Sequence, residues 1–270
     1  MIYVYLMGGL GNQMFQIATG LSEALEHNTQ AYFSKKTNLN ISATSRPDYK
    51  DTIFKFLPRI EEPNLLVFNE RTFTYKKLED TINKKLRGYF QSEKYFIKHK
   101  NEVIKFFKTC LLREDVQNKI NNILNKINTT NTISVHVRRN DYIHLQHVHY
   151  LQGETYYKNA LIKLSKILDL TTYKLVIFSD DIKWCKKCPI FKKNKCYFVE
   201  NNEDYIDLYL MSMCKHHIIA NSSFSWWGAF LNENENKFVV APSKWFGPQG
   251  PKKWDTIYCS NWLIANSIDK

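Results

Sequence analysis

Two adjacent arginines stand out in His136-Val137-Arg138-Arg139-Asn140-Asp141, at the end of the apolar run Thr132 to Val137. Arginine is seldom a core residue unless paired, so two of them at a strand end need a reason. A guanidinium keeps its charge and offers a planar fork of donors, which lets one side chain neutralise a departing diphosphate without a metal ion. The plain alternative is a surface pair between Asp141 and one arginine. Phe178-Ser179-Asp180-Asp181 closes a second apolar run. A carboxylate there accepts hydrogen bonds from a ribose or a guanine edge, or caps the next helix, and Asp181 fits the cap better. The cluster Asn221-Ser222-Ser223-Phe224-Ser225-Trp226-Trp227-Gly228 follows a third run. Capping uses one of its three serines, and the other hydroxyls and the free amides of the helix start suit an anion. Trp226 and Trp227 either line a sugar pocket or pack the helix against a sheet.

Near the N-terminus, Gly8-Gly9-Leu10-Gly11-Asn12-Gln13 joins a strand-like run, residues 2–7, to a helical pattern from Gln13 to about Glu26. Backbone amides at such a junction approach a phosphate or a sugar closely, unless the glycines serve only a tight turn with positive φ. The spacing is not that of the dinucleotide fingerprint. Other candidates carry less. Cys185 and Cys188 have zinc-like spacing, but Cys196 alone leaves the set incomplete. Asp180 and Asp181 lack a third carboxylate for a metal. His144, His147 and His149 form a loose group that reads as a polar loop.

The elements that must position these residues are clearest in the second half. Apolar runs at 132–137, 174–179, 196–199, 216–220 and 237–241 alternate with helical patterns at about 155–168, 181–187, 204–214 and 223–231. Strands alternating with helices imply a parallel sheet, and ligands of such sheets bind at the carboxyl ends of strands, where each motif lies. Residues 30 to 130 carry weaker signals: polar stretches, three prolines and a helical pattern near 112–127. The expected division is an N-terminal domain at 1–130, with the glycine loop, and a C-terminal domain at 131–270.

The 270 residues are 44% hydrophobic and 14% aromatic, which excludes an end-to-end disordered chain. A net charge of +12 favours anionic partners, but its lysine pairs, such as Lys84-Lys85 and Lys186-Lys187, are scattered and read as solvated surface. With no nucleic-acid motif beside that charge, a nucleic-acid partner is not expected. The sequence has no bilayer-length apolar run and no leader-like start, so a cytoplasmic protein is expected, one whose charge draws it to an anionic membrane face. Scattered cysteines fit a reducing compartment, where the sequons at Asn40, Asn128 and Asn221 carry no weight.

Taken together, the glycine segment Gly8 to Gln16, HVRRND at 136–141, FSDD at 178–181 and IIANSSFSWWGAFLN at 218–232 resemble the bacterial α-1,2-fucosyltransferases of glycosyltransferase family eleven. The stretch from Ala241-Pro242 to Trp245-Phe246 fits the same pattern. The resemblance implies an α/β protein of two Rossmann-like domains facing a cleft (GT-B type), with 1–130 on the acceptor side and 131–270 binding the GDP-sugar. It also implies GDP-β-L-fucose as donor, inversion at the anomeric carbon, no divalent metal or other cofactor, and a galactose-containing glycan as acceptor at its 2-hydroxyl. Carried over by position, Arg138 binds the β-phosphate, and His136 and Asp180 hold the nucleoside. Ser222, Ser223 and Phe224 add donor contacts, and Gly8, Gly9, Gly11, Asn12 and Gln13 lie beneath the donor sugar and phosphates. Asp141 is the first candidate for general base, with Asp180 or a nearby histidine behind it. A related transferase making a 1,6-fucosyl linkage, or using another GDP-hexose, shares the nucleotide motifs. Asn140 stands where the family pattern often has glycine, and asparagine tolerates a left-handed turn there.

Overall fold

The computed structural model describes residues 1–39, 47–127 and 129–268, so the sequons at Asn40 and Asn128 lie outside the described residues. The chain divides into two compact units, Met1–Arg113 with Lys253–Cys259, and Glu114–Lys252 with Ser260–Lys270.

The first unit contains β1 (Ile2–Val4), α1 (Leu10–Glu26), β2 (Ala31–Ser34), β3 (Arg59–Ile60), β4 (Leu66–Asn69), β5 (Lys84–Arg87) and α2 (Lys100–Leu111). Its strands are all parallel, in the order β3-β2-β1-β5-β4. Helix α1 buries Met14, Phe15, Ile17 and Ala18, a stripe at helical spacing. Gly20 lets it lie close on the sheet, since a Cβ there would come within 2.4 Å of a Val4 methyl. Lys84 departs from the expected solvated surface. It is 3% exposed in β5, and its Nζ lies 2.6 Å from Glu23 on α1.

The second unit opens with α3 (Glu114–Ile127), β6 (Thr132–Val137), α4 (Asn140–His144), α5 (Glu154–Ser165), β7 (Lys174–Ser179), α6 (Ile182–Lys187) and α7 (Pro189–Lys192). It continues with β8 (Cys196–Phe198), α8 (Asp204–Ser212), β9 (His216–Ile218), α9 (Ser223–Phe230), β10 (Val239–Pro242) and β11 (Leu263–Ala265). This sheet is also all parallel, ordered β11-β10-β9-β6-β7-β8. Parallel strands covered on both faces read as unbroken apolar runs, and β6 is buried at every position. The units part at Arg113 rather than near 130. Helix α3 buries Val116, Ile120 and Ile127 and pairs Lys119 with Glu203, just ahead of α8, at 2.7 Å. The chain also returns to the first unit at 253–259.

The architecture is α/β with two parallel sheets. Cys185 and Cys188 belong to the apolar core beside α5 and β7. Burial pushes the Cys185 thiol up to about 12, so it stays protonated. Among the described residues no helix is long and apolar enough to cross a membrane.

Candidate functional site

Strands β6 and β7 pair in register, with Val137 opposite Ser179, so Arg138 and Asp180 leave adjacent strand ends. Arg138 Nη1 lies 2.9 Å from Asp180 Oδ2, and its Nη2 lies 2.7 Å from Asp141 Oδ1. Burial works against the guanidinium charge, but Asp180, Tyr142 and Asp141 outweigh it and raise the pKa of Arg138. Burial likewise lifts the Asp180 carboxyl above its usual range, countered only in part by Arg138 and by the backbone N–H groups of Arg139 and Asn140. The pair weighed above as a surface alternative is instead a bridge with Asp141 only 8% exposed. Two terminal nitrogens of the fork face carboxylates, and a guanidinium has donors left for a phosphate.

Arg139 does different work. Its N–H donates to Asp180 Oδ1 at 2.8 Å, its Nε to Asp181 Oδ2 at 3.1 Å, and its guanidinium lies 4.3 Å above the Trp184 ring. Asp181 Oδ1 accepts from Trp184 N–H and caps α6, the role its position favours. Asn140 begins α4 and is not among the residues with positive φ, so no left-handed turn is needed in place of the family's glycine.

His136 sits one residue before the end of β6, 5% exposed, with its ring 5.4 Å from Phe224. Burial, reinforced by Arg138, pushes its pKa down to about 3, so the ring is neutral. Its Nδ1 is buried without a hydrogen-bond partner among the described residues. A buried polar atom left without a partner is costly, which marks this position for a ligand.

Ser222 caps α9 by accepting from Phe224 N–H at 3.3 Å, and the buried Ser225 hydroxyl turns back to the Ala220 and Ser222 carbonyls. Ser223 remains half-buried at the helix start. Trp226 and Trp227 are fully buried and pack on each other and on Phe230, which decides for helix packing over a sugar pocket.

Sequence reasoning missed the residue that ties this edge together. Asn221 Nδ2 donates to the carbonyls of Tyr150 and Trp245 at 2.8 and 2.7 Å, and its Oδ1 accepts from Gln152 at 3.2 Å. The Asn221 carbonyl accepts from the Tyr142 hydroxyl at 2.9 Å. The Tyr142 ring lies under Arg138 at 5.5 Å and stacks on His149 at 4.6 Å. Thus His149 of the loose histidine group is a packing partner, while His144 and His147 are exposed. Its one visible signal was an Asn placed directly before the serines.

In the first unit, Gly8 has φ +76°, and a Cβ there would come within 2.7 Å of Asn12 Nδ2. Gly9 is the N-cap, so α1 starts at Leu10, three residues before the expected Gln13, and Gly11, Asn12 and Gln13 form its first turn. That turn holds no acidic side chain. Gln16 bonds both the N–H and the carbonyl of Met7, and Gln13 donates to the Gly8 carbonyl at 2.8 Å. Gln13 Oε1 is buried with no partner among the described residues. Among the described residues no three His, Cys, Asp or Glu side chains gather as a metal-ligand group.

The profile of the family described as Glycosyl transferase family 11 matches residues 1–266. An alpha-1,2-colitosyltransferase of Escherichia coli is 33% identical over 93% of this chain and 97% of its own. The O-antigen biosynthesis glycosyltransferase WbnK of the same species is 31% identical with the same coverage. The human galactoside alpha-(1,2)-fucosyltransferase 1 is 22% identical over 88% of this chain and 67% of its own. Among solved structures, NodZ alpha-1,6-fucosyltransferase soaked with GDP-fucose superposes with a TM-score of 0.51 at 13% identity, over 85% of this chain and 92% of its own. A mutant of Arabidopsis thaliana FUT1 in complex with GDP gives 0.52 at 10% identity, over 89% and 70%. At such identities these two show the likeness of fold alone.

Proposed function

The chain belongs to glycosyl transferase family 11, and from that membership we propose that it moves L-fucose from GDP-β-L-fucose to the 2-hydroxyl of a galactose-type acceptor, with inversion. The observation that carries this reading is the charged edge of the second unit. Arg138, oriented by two carboxylates, stands beside a neutral His136, whose Nδ1 has no partner among the described residues, and the N-terminus of α9, at the carboxyl ends of parallel strands. In a single displacement the acceptor oxygen attacks the anomeric carbon from the face opposite GDP. The bond to the β-phosphate oxygen breaks, and negative charge grows on the diphosphate. Arg138 stabilises that charge, with the Ser223 end of α9 beside it. Asp141 and Asp180 both engage Arg138, so we assign them to orienting the guanidinium, and the acceptor hydroxyl loses its proton to solvent water late in the displacement. The two units then supply the two Rossmann-like halves of a GT-B transferase, with the nucleotide on the second.

The E. coli colitosyltransferase favours a second reading of the donor, because colitose is fucose without its 3-hydroxyl. The +12 charge also favours peripheral contact with an anionic membrane carrying the glycan acceptor. GDP release from GDP-fucose and GDP-colitose, with EDTA present and galactose-terminated acceptors, followed by linkage analysis, tests the activity. A 2-linked α-fucoside formed in EDTA is the expected result. Turnover with GDP-colitose alone establishes the second reading, and an absolute need for a divalent ion refutes the account of Arg138.

A further inference from the structure

In the first unit the segments leaving the carboxyl ends of β4 and β5 carry devices that strand pairing does not require. Phe90 has φ +53°, a left-handed backbone that a bulky side chain seldom adopts and that the surrounding structure must hold in place. Glu70 holds the turn. Its Oε2 accepts from the N–H groups of Tyr89 and Phe90, both at 2.8 Å, and its Oε1 accepts from the Tyr95 hydroxyl at 3.2 Å. Burial raises the pKa of this carboxyl, and the three hydrogen bonds only partly counter it. Gly88 leaves room for it, since a Cβ there would come within 2.4 Å of Glu70 Cβ.

The outcome of this expense is the position of Tyr89. Its half-buried ring stacks on the half-buried ring of Phe73, with centroids 5.5 Å apart and planes inclined by 25°. The backbone around Phe73 is held by Thr256, which accepts from Tyr75 N–H at 2.8 Å and donates to the Phe73 carbonyl at 3.5 Å. Two residues after Tyr89, Gln91 donates to Asn12 Oδ1 at 2.8 Å, which ties the turn to the first turn of α1 and its glycine loop.

We propose that the stacked pair Phe73 and Tyr89 is a saccharide platform that receives the ring of the acceptor sugar, an inference that rests on the transferase reading above. Strain held by a buried carboxylate at a strand end marks a place where geometry outweighs local stability. Rigid aromatic rings give large contact area at small entropic cost, and the C–H face of a pyranose packs on such a surface. Continuity with the glycine loop through Gln91 and Asn12 favours a sugar over a protein partner.

The test is saturation-transfer NMR of the full chain with lactose in the presence of GDP, for the wild type, Tyr89→Ala, Tyr89→Phe and Phe73→Leu, with calorimetric GDP binding in parallel. Tyr89→Ala is expected to weaken lactose binding about fivefold, the equivalent of about 1 kcal/mol, with GDP affinity unchanged. Tyr89→Phe keeps the ring face and is expected to bind lactose like the wild type. If Tyr89→Ala lowers the melting temperature, Phe73→Leu is judged by the same criterion. No lactose signal from the wild type, or an equal signal from the wild type and the truncated variants, overturns the platform. Failure of the wild type to bind GDP counts against the transferase reading instead, and the lactose signal reports on the platform independently of it.

Discussion

Removing Arg138 has two effects that can be separated. Arg138→Ala strips the cation from Asp141 and Asp180, whose oxygens lie 2.7 and 2.9 Å from it. Breaking a buried ion pair from one side costs about 3–5 kcal/mol. The guanidinium side chain is 24% exposed, so about 3 kcal/mol is the better figure, and a two-unit chain of this size should melt several degrees lower. A loss of activity in that variant alone would therefore be ambiguous. Arg138→Ala combined with Asp180→Asn removes one of the stranded charges and should recover part of the stability, by about 1–2 kcal/mol. It should recover none of the GDP affinity, because the donors to the diphosphate are still missing. Charge-assisted hydrogen bonds of this kind carry about 1.5–3 kcal/mol, a loss of about 10- to 100-fold in GDP binding. Calorimetry with GDP and thermal melts of both variants decide the matter. A double variant that binds GDP within about twofold of the wild type refutes the phosphate role.

Two further predictions concern buried charges away from that edge. Burial raises the Asp207 carboxyl from 3.8 to about 6, against a hydrogen bond from Asn202 at 2.9 Å. A raised carboxyl pKa means that the folded state holds the proton more tightly. That contribution is fully present below 3.8 and is lost as pH rises through about 6. Asp207→Asn should match the wild type below pH 3.8 and exceed it by about 3 kcal/mol well above pH 6, as read by melts across pH, and parallel curves would refute the assignment. Lys84→Met leaves Glu23 on α1 without its 2.6 Å partner and should cost about 2–3 kcal/mol in a denaturant titration. Adding Glu23→Gln should restore most of that stability, and additive losses would show that the pair is not coupled.

The two units differ in how far their folds could be read from sequence, for a physical reason. Strands β6 and β7 lie in the middle of a sheet covered on both faces, so Thr132–Val137 and Lys174–Ser179 stand out as continuous apolar runs of the right length. In the first unit β3 has only two residues, β4 is a mostly exposed edge, and β5 is KKLR. A strand that begins with two lysines reads as surface until Glu23, 61 positions earlier in the chain, is known to face Lys84. Strand β11 and helix α2 were missed as well. Their signals are short or mixed, and they take their places through packing on elements remote in sequence.

At the candidate site, residue type and strand-end position were legible, but the pairing was not. HVRRND presents two equivalent arginines and FSDD two equivalent carboxylates, and local spacing does not say which meets which. The register of β6 against β7 decides it, setting Arg138 between Asp180 and Asp141 and sending Arg139 to Asp181 and Trp184. One position is thereby left facing two acidic groups with donors to spare, while its neighbour is committed to a helix cap and a ring. The same holds for Asn221, whose amide and carbonyl join residues 142, 150, 152 and 245. Each of those partners is a long-range contact, so a polar residue ahead of a serine cluster looks like part of a cap until the strands are laid side by side. What the chain encodes locally at this edge is chemical type; which group is free to meet a ligand is set by strand register.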